Sequence, residues 1–313
     1  MICYKMICYK MICYKIGEKA MSLRKKEAFT GILLILPFFA GFLLFYLIPF
    51  CISTGYSFTS GVGGLTLVGF QNYRQVMESH AFRLAAGNTF RFIGLGIPLI
   101  MGISLGLSLL IFQKAGKSGL FQSVFLYPMV IPIGTTVLFF QVMLSEFGAI
   151  NRVLSLLHLP VQQWLDSDKA FYVLLFLYIW KNCGYNMVLF LTGLNAIPGE
   201  LWEAASLEGT GAWRYFRYIQ CPLLVPSFLF VFVMSVINSF KCYREAYLLA
   251  GSYPHDSIYM LQHFMNHNFE NLNYQRLSVA AILVFLVIFI MIIGLFACRA
   301  HMEREDTGRR KKQ

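Results

Sequence analysis

An all-α integral membrane protein whose chain crosses the bilayer six times is the fold this sequence predicts, and three observations carry the prediction. Hydrophobic residues make up 58% of the 313 positions and charged residues only 13%, about half the charge of an average soluble domain. The deficit is concentrated, because charges are missing from several long stretches. Six such stretches reach the roughly 20 residues a helix needs to cross the hydrocarbon core, where only helices or closed barrels satisfy the backbone.

The first fifteen residues are three copies of Met-Ile-Cys-Tyr-Lys. A period of five fits neither a helix face nor a strand face, and three copies of so short a unit build no solenoid core. Residues 1–20 therefore read as a repetitive extension without a function of its own, with Met21, followed by Ser22-Leu23-Arg24-Lys25-Lys26, as the natural start. Residues 21–300 form the six-helix membrane domain and 301–313 a basic tail. The apolar segments are 28–52, 92–112, 120–144, 170–191, 223–240 and 277–298; only 170–191 contains a charge, Lys181, and none contains Asp or Glu. The first is longer than the 7–15-residue apolar core of a signal peptide. Gly102 and Gly106 give the second a small-residue face for close helix packing. Pro128 and Pro132 kink the third, which a helix bundle tolerates.

The net charge of +11 belongs to topology rather than to a nucleic-acid partner. With the N-terminus in the cytoplasm, 17 of the 26 Lys and Arg residues fall on inner segments and 8 on outer loops. The excess of inner positive charge places both termini in the cytoplasm of a multi-pass cell-membrane protein. Three outer loops, near 53–91, 145–169 and 241–276, are long; only one inner loop is, near 192–222. The eight cysteines include three in the repeat and no CxxC pair, so neither a zinc site nor a disulfide framework is indicated. His263 and His267 lack the HExxH context of a zinc helix and read as part of an exposed outer-loop helix. Gly116-Lys117-Ser118 resembles the end of a phosphate loop, but Ile111 stands where that motif needs Gly. The chain therefore carries no nucleotide site of its own.

The long inner loop contains a helix over about 198–208. Pro198 suits its first turn, Glu200 and Glu203 suit the positive end of its dipole, and Gly209 suits a left-handed stop. Leu201, Ala204, Ala205 and Glu208 share a face at helical spacing, with the two alanines allowing another backbone close. Glu203-Ala204-Ala205, then Gly209, then Ile219 and Cys221-Pro222 resemble the EAA loop of binding-protein-dependent ABC transporter permeases; Cys221 stands where that pattern has Leu. Leu36-Pro37, Ile48-Pro49, Asn72-Tyr73, Asn88-Thr89, Phe125 to Pro132, Trp180-Lys181, Gly184 and Asn186 are similar to the sugar-type branch, over about residues 22–298. Leu249 to Pro254 departs from that branch's glycine-rich outer stretch.

The resemblance implies an importer permease that works beside a second, homologous permease, a cytoplasmic ATPase dimer and an extracytoplasmic solute-binding protein. ATP is used by the partner subunits, and no cofactor is bound by this chain, which is not itself an enzyme. Glu203, Ala204, Ala205, Gly209 and Pro222 then form the element coupled to the ATPase.

A solute path is sought among polar residues inside the spans. Tyr178, Lys181, Asn182, Tyr185, Asn186 and Thr192 fall within about 140° on a helix of 100° per residue, and Ser235, Asn238 and Ser239 form a shorter stripe on the fifth span. Intramembrane polar groups face a bundle interior or a wet cavity, and Asn with Tyr supplies the hydrogen bonds and aromatic face a sugar needs. The competing use of both stripes is hydrogen bonding between helices, and Lys181 has the further option of a carboxylate on the second permease. A non-sugar solute such as a polyamine or phosphate, an ATPase-independent secondary carrier, and a non-transporting scaffold are the alternatives. The absence of Asp and Glu from the six segments argues against a proton-coupled carrier.

Overall fold

Two helices of this chain widen by one residue just ahead of a proline. In a computed structural model residues 29–61, 66–112 and 118–310 are described; the N-terminal repeat, the Met21 start and Gly116-Lys117 lie outside them. Helix α1 (Phe29–Ser57) contains a π-helical turn at Leu43–Leu47, and α9 (212–223) contains another at Phe216–Gln220. Each turn ends just ahead of a proline, Pro49 and Pro222. A helical proline lacks an N–H and presses its ring against the carbonyl four residues back. Those carbonyls belong to Phe45 and Tyr218, inside the two widened turns, where the extra residue relieves the clash.

The chain divides into two units, Met1–Gly69 and Phe70–Gln313. The first holds α1 and a short antiparallel pair, β1 (Thr59–Ser60) and β2 (Thr66–Leu67), in which Thr59 opposes Leu67. The second holds α2 (Gln71–Glu78), α3 (His80–Phe112), α4 (Ser118–Val130), α5 (Ile133–Leu144), α6 (Ala149–Leu156), α7 (Ala170–Asn195), α8 (Glu200–Leu207), α9, α10 (Val225–Lys241), α11 (Tyr243–Ala250), α12 (Leu261–Glu270) and α13 (Tyr274–Arg310). Among the described residues six helical runs are long and apolar enough to cross a membrane: Phe29–Ser57, His80–Phe112, Ile133–Leu156, Ala170–Asn195, Val225–Ala250 and Tyr274–Ala297. The six-span expectation therefore stands, with helices that overrun their apolar cores.

The third segment differs most from its expected form. Pro128 is accommodated inside α4, whereas Pro132 is extended (ψ 133°) just ahead of α5, so the expected kink is a break at 131–132. The small residues that let helices touch are also not the ones the GxxxG spacing singled out. Gly102 and Gly106 face open space within the unit, while an added Cβ on Gly96 would press on Leu175 and Tyr178, and one on Gly184 would fall on the backbone carbonyl of Phe125. Pairs of glycines mark a face that can pack; which face does is set by the neighbours.

The core of the second unit forms around α7, whose Phe171, Leu174, Tyr178 and Cys183 join Phe92 and Ile100 of α3. A second cluster joins Phe82 and Ala85 of α3 to Leu261 and Phe264 of α12 and Val279 and Ala280 of α13. Helix α12 exists where His263 and His267 predicted one, but it is not exposed: His263 is 1% accessible. Its Nδ1 accepts the Met260 N–H, closing the first turn of α12. Burial, and secondarily His267, push the His263 pKa down to about 4. The unfolded chain, with a histidine pKa near 6.5, holds a proton that the fold excludes. This share of stability is therefore complete above about pH 6.5 and lost as the pH falls through about 4. The melting temperature of the purified protein is expected to fall across that window, and His263→Gln to flatten the fall.

Candidate functional site

Helix α8 is the short loop helix, and its local chemistry is as the residues require. Glu200 and Glu203 lie in its first turn. Gly209 follows with φ of 72°, and Thr210 N–H donates to Ala205 O at 2.9 Å across the left-handed stop. Glycine adopts that φ without strain, and the closing bond satisfies a carbonyl the helix end leaves free. One expectation is corrected: Leu201, Ala204, Ala205 and Glu208 do not act as one face. Ala205 is buried at 7%, while Glu203, Ala204 and Leu207 look outward, Leu207 at 90% exposure. Trp202, itself 43% exposed, packs edge-on to Tyr215 of α9, with centroids 4.8 Å apart, and Ala205 is the one buried residue of the helix. A cavity of about 710 Å³ lies between α8, α9 and the end of α3, lined by Trp202, Glu203, Trp213 and Phe112. Pro222 follows the π turn of α9 and is exposed.

The intramembrane stripe divides into three groups. Tyr178 donates to Ser235 O at 2.8 Å, and the Asn186 amide donates to Ser235 Oγ at 2.8 Å; Tyr178, Asn186 and Ser235 are all buried at 1% or less. These three are therefore not cavity lining as expected: they join α7 to α10. A helical projection shows which residues share a face but not which helix covers it. Lys181 forms the second group, with Nζ 2.6 Å from Glu245 Oε1. Its partner is in this chain: the six apolar segments hold no acid, as the sequence reads, but the fifth helical run continues beyond its segment through α11 to Ala250 and so takes in Glu245. Asn182, Tyr185 and Asn238 form the third group and keep partial exposure, although the Asn182 amide donates to Tyr178 O within its own helix. Thr192 is exposed and bonds Val188 O, and Ser239 is buried on its own helix.

Glu245 was legible in principle. Continuing the fifth-span projection beyond 240 places Ser235, Asn238, Cys242 and Glu245 on one face at helical spacing. The segment around it is stapled by side chains from other spans. Gln141 donates to Leu248 O and Leu249 O, Asn88 donates to Asp256 O and Tyr259 O, and Thr89 accepts from Leu261 N–H. The Asn88-Thr89 pair thus satisfies the backbone of the turn leading into α12, which is the physical reason for those two residues. Two ion pairs occur among the described residues, Lys181–Glu245 and the exposed Arg74–Glu78, and no cluster of metal-ligating side chains is present among them.

Residues 114–304 match the family of binding-protein-dependent transport system inner membrane components. The chain belongs to that family of permeases. The trehalose/maltose transport system permease protein MalF of Thermococcus litoralis is 28% identical over 240 residues, covering 74% of this chain and 80% of that protein. The arabinooligosaccharides transport system permease protein AraP of Bacillus subtilis is 29% identical over 221 residues, covering 68% and 69%. A bacterial ABC transporter involved in the import of the acidic polysaccharide alginate has a chain of the same fold, with a TM-score of 0.76 at 21% identity over 90% of this chain and 96% of that one. The permease is a multi-pass inner-membrane protein that works with a binding protein, and the ATPase activity of such a system resides on separate subunits.

Proposed function

We propose that this permease imports a sugar or oligosaccharide by alternating access, beside a second homologous permease and above a cytoplasmic ATPase dimer, with both termini in the cytoplasm. The observation that carries the coupling is α8. It is a two-turn helix closed by a left-handed glycine, with Glu203, Ala204 and Leu207 facing outward on the long loop that the charge distribution assigns to the cytoplasm. Glu203, Ala204, Ala205, Gly209 and Pro222 form the coupling element. Outward groups dock on the ATPase, Ala205 seats the helix, and the Gly209 stop and Pro222 turn set its angle to α10.

The solute class follows from two supports. The relatives named above carry trehalose, maltose and arabinooligosaccharides by name. Within this chain the one charge of the apolar segments is neutralised by Glu245, which leaves uncharged amide and phenol groups for the solute and disfavours a phosphate or a polyamine. Asn182, Tyr185 and Asn238 are the contacting residues, while Tyr178, Asn186 and Ser235 hold the two spans in register. A hydrogen bond to solute contributes about 1 kcal/mol, and about 1.4 kcal/mol is tenfold in affinity. The Asn182→Ala/Asn238→Ala variant, which removes two such bonds, is therefore expected to need roughly thirtyfold more solute for half-maximal uptake while assembling normally. Unchanged half-saturation with reduced assembly overturns the contact assignment. Reconstitution with and without the ATPase tests the class of transporter: uptake by this chain alone would establish a secondary carrier.

A further inference from the structure

The Lys181–Glu245 contact joins the middle of α7 to α11, beyond a one-residue break in the fifth crossing at Cys242. The Glu245 side chain is 7% exposed and that of Lys181 20%. The carboxylate is only half satisfied, because its Oε2 is buried with no hydrogen-bond partner among the described residues. Two drives thus act on one pair. Attraction between the charges keeps water out, and the hydration owed to Oε2 draws water in.

We propose that Lys181 and Glu245 are positioning residues that favour the state whose outer end is closed and dry, and that their separation accompanies opening. This rests on the alternating-access reading and the topology above, which place α11 at the outer side. At fixed separation two charges attract roughly four times more strongly at an effective dielectric of about 20 than in bulk water at about 80. The pair therefore strengthens when the outer end dries and weakens when water enters. The other anchors of the segment, from Gln141, Asn88 and Thr89, are uncharged and lack this strong dependence. The remaining ion pair among the described residues, Arg74–Glu78, is already exposed.

The test uses the complete transporter in proteoliposomes. Glu245→Gln keeps the shape but leaves the Lys181 charge buried without a counterion, which favours the wet, open state. Two signals are expected: ATP hydrolysis without binding protein rises about tenfold, and uptake per ATP falls. Cys242, buried beside both charges, is a native reporter. Its labelling by an impermeant maleimide added outside, read by peptide mass spectrometry, rises by a similar factor. The swap Lys181→Glu/Glu245→Lys and the neutral pair Lys181→Met/Glu245→Leu, which again close a dry contact, return all three readings toward wild type. A merely structural role lowers assembly and every activity together. Wild-type hydrolysis and labelling in assembled Glu245→Gln overturn the proposal. If Glu245→Gln fails to assemble, the swap decides: assembled swap protein with raised, uncoupled hydrolysis overturns it, and wild-type behaviour supports it. Hydrolysis by the wild-type transporter that ignores the binding protein instead overturns the alternating-access reading beneath it.

Discussion

Gly209→Pro is expected to abolish uptake, and with it the link between binding protein and ATP hydrolysis, while the protein still inserts and accumulates in the membrane. Gly209 sits at φ 72° and donates its N–H to Ser206 O. Proline is confined to φ near −65° and has no N–H to give. The turn must therefore re-form, and the Thr210 to Ala205 bond that seals α8 is lost with it. The damage is confined to an exposed loop: of α8 only Ala205 is buried, and the packed spans are far from the change in sequence. Gly209→Ala is the graded control, because a left-handed non-glycine residue costs about 1–2 kcal/mol and leaves the N–H in place. Partial coupling is expected from it. The measurements are membrane-fraction protein, solute uptake, and ATP hydrolysis with and without binding protein. Normal transport by Gly209→Pro would remove α8 from the coupling path.

Gly184→Ala is expected to have the opposite character, a loss of folded protein rather than of coupling. At Gly184 the backbone of α7 meets the backbone of α4 at Phe125, and an added Cβ would overlap that carbonyl. A flexible side chain can rotate out of such a clash, but backbone inside a helix cannot. Overpacking a tight core costs about 1–3 kcal/mol and occasionally more, and a backbone obstacle belongs at the upper end. The Asn186–Ser235 and Lys181–Glu245 contacts lie within a turn of the same position on α7, so a shifted α7 disturbs them too. Detergent-extracted monodisperse protein is expected to fall several-fold for Gly184→Ala and little for Gly102→Ala, which meets nothing within 4 Å. Equal yields from the two variants would show that α4 and α7 do not touch at this glycine.

The contrast between these glycines shows where sequence reasoning stops. Gly209 was readable because its reason is local: a helix with acids in its first turn needs a left-handed stop, and the residue that provides it stands at the right distance. Gly184 was readable only as a motif position, since nothing in its neighbours announces Phe125. Gly102 and Gly106 had the better-known spacing and no packing partner within the unit. The polar stripe behaved likewise. Its residues share a face of α7 as the spacing requires, yet Tyr178 and Asn186 are consumed by Ser235 and Lys181 by Glu245. Among the described residues this leaves Asn182, Tyr185 and Asn238 as the partly exposed polar groups without a partner on another span. The spacing of His263 and His267 places them on the right helix but says nothing of their surroundings: the His263 ring is covered by Tyr243 of α11 and by Tyr259, at 4.7 and 5.6 Å between centroids.

By itself, the sequence determined that this is a six-span α-helical membrane protein with one specialised loop helix, its caps and its family. Those properties follow from short-range physics: the length of an apolar run, the deficit of charge within it, the dihedral angle a residue tolerates, and the carbonyl a proline must avoid. Only the tertiary structure decided which face of each helix is covered, that Ala205 turns inward while Ala204 does not, and that a charge in the fourth span is answered by an acid far along the chain, 2.6 Å away. Pairings of that kind depend on how helices cross, and a crossing is settled by all the side chains at once rather than by any stretch of the chain.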